Sequence, residues 1–110
     1  MSKFQEKLDK YHELMDKRGT KYDAELFRKV AKGLGPSIYL RDAESVSCGD
    51  SKELDRVKKN FLMKKHGMED EAKADAAIKK VCDSMKGDRS KKRAIFYYHL
   101  VKELGLEGNY

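Results

Sequence analysis

The sequence is poor in the residues that mark several common classes of protein. It holds two cysteines, one proline and no tryptophan in 110 residues. Cys48 and Cys82 are far apart, with no CxxC pair or paired-histidine spacing, so the sequence predicts neither a zinc site nor a disulfide framework. We therefore expect Cys48 to be a free, reactive thiol in a loop and Cys82 to pack in the core.

Long apolar runs are also missing. The longest stretches without a charged residue are the eight residues 33–40 and the eight residues 94–101. A membrane-spanning helix needs about 20 apolar residues, and the first residues lack the apolar segment of a signal peptide. The sequence therefore predicts a cytoplasmic protein whose cysteines are reduced.

Charged residues, by contrast, are abundant. They make up 40% of the chain, and 25 Lys and Arg against 19 Asp and Glu give a net charge of +6. Residues 51–67 carry a local charge of +4, whereas residues 34–50 carry −2. Such a composition permits binding to an anionic partner, but it is also typical of a soluble helical surface.

Hydrophobic periodicity predicts one all-α domain over residues 1–110, a compact five-helix bundle with a long ordered loop between helices two and three. Helix five, from about Ser90 to Leu104, is apolar around most of its circumference, so it should lie at the centre. Its aromatic residues 96–98 are expected in the core rather than stacked on bases.

Capping residues give the predicted helix boundaries. Helix one should run from Ser2 to Gly19, and helix two from Thr20 or Asp23 to Gly33 or Gly35. Asp50 should open helix three, which runs to His66 and ends at a left-handed Gly67. Helix four should begin in the acidic residues 69–71 and end at Gly87.

The loop from Gly33 to Asp50 holds the first group of candidate functional residues. A loop of this length inside a compact domain is usually functional or disordered. It offers polar and aromatic groups for a small-ligand site or an enzyme active site, but no spacing that defines a metal site or a catalytic motif. The same loop is alternatively the interface of a homodimer. The candidate loop residues are Ser37, Tyr39, Arg41, Asp42 and Cys48.

A basic face on helix three is the second candidate, and we prefer it. It makes the protein a non-enzymatic interaction module whose partner is an acidic protein or a nucleic acid. Three cationic residues, Lys91, Lys92 and Arg93, lie at the predicted start of helix five, where the helix dipole disfavours positive charge. Their side chains should therefore pair with Asp83, with Asp88 or with an external anion. We predict no catalytic residue, cofactor or metal. The residues of this basic face are Arg56, Lys59, Met63, His66, Lys91, Lys92 and Arg93.

Several phrases of the sequence resemble a known family over nearly the whole chain. They are Gly33-Leu-Gly-Pro-Ser-Ile-Tyr, Arg41-Asp-Ala-Glu, Val46-Ser-Cys, Asn60-Phe-Leu-Met-Lys-Lys and Phe96-Tyr-Tyr. The chain is similar in these phrases to small bacterial proteins classed as a domain of unknown function. The resemblance implies a bacterial, cytosolic protein, and it implies no activity, cofactor or catalytic residue.

Overall fold

Five helices surround one hydrophobic core in the computed structural model, which describes residues 3–18, 22–40, 44–86 and 91–110. This confirms the predicted all-α class. In that part of the chain, no helix is both long and apolar enough to span a membrane. The helices are α1 (Lys3–Arg18), α2 (Ala24–Gly33), α3 (Ser51–Arg56, continued as a π-helix over Val57–Lys65), α4 (Glu71–Ser84) and α5 (Arg93–Leu104), with 3₁₀ turns at Gly35–Tyr39 and Glu107–Asn109.

Helix α5 lies at the centre, as its apolar sequence predicts. Every residue from Ala94 to Tyr98 is buried, and so are Leu100 and Val101. The helix packs mainly against α2 and α4, and also against α1. The Tyr98 hydroxyl accepts a hydrogen bond of 2.8 Å from the Asp23 amide, so it is satisfied inside the core.

Aspartates cap the starts of three helices. Asp23, Asp50 and Asp70 each accept hydrogen bonds from backbone amides two or three residues further on, at the starts of α2, α3 and α4. The predicted start at Asp50 is therefore confirmed. The other predicted boundaries at Ser2, Gly19, Thr20, Gly87 and Ser90 lie outside the described residues.

Glycines in the left-handed conformation end two helices. Gly67 has φ of 65° and Gly105 has φ of 66°. After Gly105, the amide of Leu106 donates to the carbonyl of Val101, five residues back, at 2.9 Å, which is the long hydrogen bond of a Schellman motif. After Gly67, the amide of Met68 donates to the carbonyl of Leu62, six residues back, at 3.0 Å. The predicted left-handed cap at Gly67 is confirmed.

Helix three differs from the prediction in its winding. It is α-helical only to Arg56, and residues Val57–Lys65 form a π-helix. At its end, the amide of His66 donates to the carbonyl of Phe61, five residues back, at 3.3 Å. Because i→i+5 bonds make each turn wider, residues seven apart no longer stack on one face as they do in an α-helix. Val57, Phe61 and Leu62 are buried by this winding.

The described end of the long loop is tied to the start of α5. The amide of Val46 donates to the Lys91 carbonyl at 2.7 Å, and the Arg93 amide donates to the Glu44 carbonyl at 2.6 Å. The side chain of Val46 is buried in the core. These bonds hold residues 44–46 against α5, and they place the following residues over α4.

The two cysteines form a disulfide, which corrects the prediction of two reduced thiols. Cys48 in the loop is bonded to Cys82 on α4, and their Cα atoms are 5.9 Å apart. Both residues are half-buried, so Cys82 is not enclosed in the core. The prediction failed because the 34-residue separation says nothing about contact in space. The contact exists only because the loop docks on α4.

Candidate functional site

The predicted basic face is not one open surface. Arg56 pairs with Glu53 at 3.7 Å, and Lys59 pairs with Asp55 at 3.1 Å. The π-helical winding of residues 57–65 also separates residues 56 and 63, which an α-helix would align. Carboxylates of the same helix therefore form ion pairs with the two cations that were expected to bind a partner.

The cations at the start of α5 have acidic partners inside the fold. Arg93 is only 12% exposed in its side chain and forms an ion pair with Glu53, while its guanidinium donates to the Tyr97 hydroxyl at 2.8 Å. Lys92 pairs with Glu44 at 3.3 Å. The predicted partner Asp83 is therefore wrong for both side chains, and Asp88 lies outside the described residues. Lys91 lines a cleft instead.

Glu44 is the centre of a polar cluster that joins α1, the loop and α5. Its carboxylate accepts from the Lys7 ammonium at 2.6 Å, from the Tyr11 hydroxyl at 2.7 Å and from the Lys92 ammonium at 3.3 Å. Burial alone would raise the pKa of Glu44, but these three donors outweigh it and leave its pKa below the ordinary value. Burial and the Glu44 carboxylate raise the pKa of Tyr11. The cluster links α1, the loop and α5 through one half-buried carboxylate.

His66 lies in a second cluster rather than on an open face. Its Nδ1 is 2.9 Å from the Asn109 amide nitrogen, and its Nε2 is 3.1 Å from the Tyr110 hydroxyl. The imidazole also packs edge-on against the Phe61 ring, with centroids 4.8 Å apart. Burial, and then the charge of Lys65, lower the pKa of His66, so the neutral ring is favoured.

The candidate loop residues are not brought together where the structure describes them. Tyr39 lines a groove against α1, whereas Cys48 lines a cleft against α4. Arg41 and Asp42 lie outside the described residues, as does the side chain of Ser37. Cys48 is bonded to Cys82, so it is not the free nucleophile that the enzyme hypothesis requires.

The groove beside Tyr39 brings three lysines of α1 together in one place. It has a volume of about 430 Å³ and is lined by Lys3, Glu6, Lys7, Lys10 and Tyr39; we call it the lysine groove. Its lysines recur at intervals of three and four residues along α1, which places them on one side of the helix. That spacing is visible in the sequence, and it is the signal that could have identified this surface.

The cleft beside the disulfide is larger, at about 550 Å³, and its rim is charged. We call it the disulfide cleft. Leu54 and Ile78 contribute apolar walls, and the disulfide itself forms part of the surface. The charged lining residues are Asp55, Asp75, Asp83, Lys79, Lys86 and Lys91.

Metal-ligating side chains do not gather in either cavity. Within residues 3–18, 22–40, 44–86 and 91–110, no three histidine, cysteine, aspartate or glutamate side chains are placed to hold one ion. What the two cavities offer is charge, an aromatic ring and a sulfur–sulfur bond.

Comparison with known families places the chain in one of them. The chain belongs to the family described as Protein of unknown function (DUF2853), whose model matches residues 10–108. This match confirms the resemblance seen in the sequence to a domain of unknown function. A comparison with curated proteins finds no match for this chain.

Proposed function

We propose that the protein is a non-enzymatic interaction module that binds an acidic segment of another protein across the lysine groove. The observation that carries the proposal is the groove itself, where lysines and a half-exposed tyrosine line one cavity of about 430 Å³. This keeps the preferred class of function and moves its surface from helix three to α1.

The charge of the groove is only partly neutralised. Lys7 is held by Glu44 at 2.6 Å, but no described carboxylate lies within ion-pair distance of Lys3 or Lys10. Among the described residues, Glu6 is the one acidic residue in the lining. The groove therefore retains positive charge that a carboxylate-bearing partner would complement.

Apolar surface adjoins the charge. Tyr39 is 41% exposed and Leu40 is 56% exposed, and they are the two large hydrophobic side chains that the described residues leave exposed. Exposed aromatic and aliphatic side chains beside a charged groove are typical of a protein-binding surface. A partner segment that alternates acidic and apolar side chains would cover both features.

A protein partner fits these features better than a nucleic acid does. Glu6 would repel a phosphate backbone that follows α1, and Leu40 offers nothing to a base edge or a phosphate. A homodimer through this surface is also disfavoured, because a two-fold interface would bring the same lysines of both copies together.

Fluorescence anisotropy tests the proposal with a labelled synthetic peptide of alternating glutamate and leucine. We expect salt-sensitive binding that weakens about tenfold in the Lys3→Gln/Lys10→Gln variant, because each exposed ion pair contributes up to about 1 kcal/mol. Replacing Leu40 by Ser should weaken binding further. The matched control is Lys73→Gln/Lys102→Gln, which removes the same charge elsewhere on the surface.

Two outcomes would contradict the proposal. One is binding that the control variant weakens as much as the groove variant, which would show a general charge effect. The other is tighter binding of labelled oligothymidylate than of the peptide, lost in the groove variant, which would make nucleic acid the partner. Light scattering on the same samples detects a homodimer.

A cytoplasmic location belongs to this proposal too. It is supported by the heavily charged composition, and cell fractionation with an antibody against the chain tests it. The disulfide is the observation that weighs against a permanently reduced state there.

A further inference from the structure

The lining of the disulfide cleft holds three lysines and three aspartates around the sulfur–sulfur bond. Asp55 and Asp75 are already paired with Lys58, at 3.9 and 3.4 Å. The three lysines of the lining, Lys79, Lys86 and Lys91, have no ion-pair partner in the part of the chain that the structure describes, and Asp83 is the one lining carboxylate that is equally unpaired. Lys58 is shared among Asp55, Asp75 and Glu71, so these three lysines are the lining cations available to the carboxylates of a ligand.

This lining matches a small thiol that carries carboxylates. A volume of about 550 Å³ is within the usual range for a small-molecule site. The free lysines can form ion pairs with the carboxylates of such a ligand, and Asp83 can pair with its ammonium group. Leu54 and Ile78 can pack against its methylene groups. Cys48 and Cys82 are half-buried residues of the same lining, which places the sulfur–sulfur bond beside the volume that such a ligand would fill.

We propose that the cleft is a thiol–disulfide exchange site for small anionic thiols, for which glutathione is the probe. The ligand's thiolate attacks one cysteine sulfur, so a mixed disulfide forms as the Cys48–Cys82 bond breaks and the other cysteine leaves as a thiolate. A second thiolate attacks the ligand sulfur of the mixed disulfide and releases the second cysteine. Two thiols become one disulfide, and their two protons pass to the cysteines.

The lysines act twice in this exchange. They attract the anionic thiol into the cleft, and they stabilise the thiolate that leaves. Reduction would remove the covalent link between the loop and α4. Residues 44–46 would stay attached to α5 through their backbone hydrogen bonds, so the change would be confined to the stretch from Ser47 to Asp50.

The experiment measures the rate at which glutathione reduces the purified, oxidised protein. Free thiols are alkylated at intervals, and the intact mass of the chain is measured by mass spectrometry. We expect the Lys79→Gln/Lys86→Gln/Lys91→Gln variant to react about tenfold more slowly. Each exposed charge interaction changes the rate by a small factor, and the three factors multiply. The matched control is Lys32→Gln/Lys73→Gln/Lys102→Gln, which removes the same charge outside the cleft and should react at the wild-type rate.

A neutral thiol separates ligand recognition from thiolate stabilisation. With 2-mercaptoethanol, the cleft variant should slow by only about two- to threefold, because no carboxylate is recognised. Raising the salt concentration should slow the wild-type reaction with glutathione far more than that of the cleft variant. Hydrogen exchange should speed up in residues 47–50 on reduction.

Three results would overturn the proposal. The first is a purified protein with two free thiols under air. The second is an equal loss of rate with glutathione and with 2-mercaptoethanol, which would mean that the lysines recognise no carboxylate. The third is an equal loss of rate in the cleft variant and in the matched control.

Discussion

Removal of the Cys48–Cys82 bond should destabilise the folded protein by about 3–4 kcal/mol, whether or not the bond exchanges with small thiols. The perturbation is made in two ways, by reduction with dithiothreitol and by the double substitution Cys48→Ser/Cys82→Ser. Both cysteines are half-buried, so serine in their place leaves no fully buried hydroxyl without solvent.

The magnitude follows from the loop that the bond closes. Its two cysteines are 34 residues apart. In the chain-entropy model, closing a loop of this length removes roughly 12–13 cal/mol/K from the unfolded chain, which is about 3.8 kcal/mol at 25 °C. Domains of this size have total stabilities of about 5–15 kcal/mol, so the reduced protein should stay folded but melt about 10–20 °C lower.

Urea unfolding followed by far-ultraviolet circular dichroism measures the loss. With a slope of about 2 kcal/mol per molar urea, the midpoint should fall by about 2 M on reduction. The double serine variant should unfold at the same midpoint as the reduced wild type, and dithiothreitol should not change it further. Intact mass before and after reduction establishes that the bond is present at the start.

Two results would refute this reasoning. A loss below about 1 kcal/mol, with the bond shown by mass, would mean that the unfolded chain already keeps Cys48 and Cys82 close, or that the bond strains the native state. If the reduced protein shows no cooperative unfolding, then the bond contributes more to the free energy of unfolding than the entropy of loop closure.

The remaining predictions concern the core and the two polar clusters. Phe61→Ala and Tyr98→Ala should each lower the unfolding free energy by about 3–5 kcal/mol, because both rings are buried; losses below about 1 kcal/mol in urea would contradict this. Glu44→Gln should lower it by about 1–3 kcal/mol at neutral pH. Because the folded pKa of Glu44 lies below its ordinary value of 4.5, its contribution holds above that pH and is lost on further acidification, so the variant should lose less stability in acid. His66 has a folded pKa below its ordinary 6.5, so thermal melts should show stability falling as the pH drops below about 6.5, and less so in His66→Gln.

The sequence by itself determined the helices and the side that each buries. The cap at Asp50 and the left-handed glycine at Gly67 could be predicted because capping depends on a few neighbouring residues. The central position of α5 could also be predicted from the sequence, because a helix that is apolar around nearly its whole circumference is buried by its neighbours. These features depend on contacts within one or two turns of the chain.

The π-helical winding of residues 57–65 could not be predicted from the sequence. Its hydrophobic pattern predicted an ordinary α-helix, whereas the structure buries Val57, Phe61 and Leu62 on a π-helix. Which hydrogen-bond register the backbone adopts beneath them depends on how they pack against the neighbouring helices. The predicted alignment of Arg56 with Met63 failed for that reason.

Only the tertiary structure decided which distant groups meet. The sequence suggested Asp83 or Asp88 as acidic partners of Lys92 and Arg93, whereas the docking of the loop and of α3 selected Glu44 and Glu53. The same docking brought Cys48 onto α4, and the packing of the 3₁₀ turn placed Tyr39 beside the lysines of α1. The order of residues along a chain constrains neighbours within a few positions, whereas contacts across tens of residues arise only when whole helices pack together.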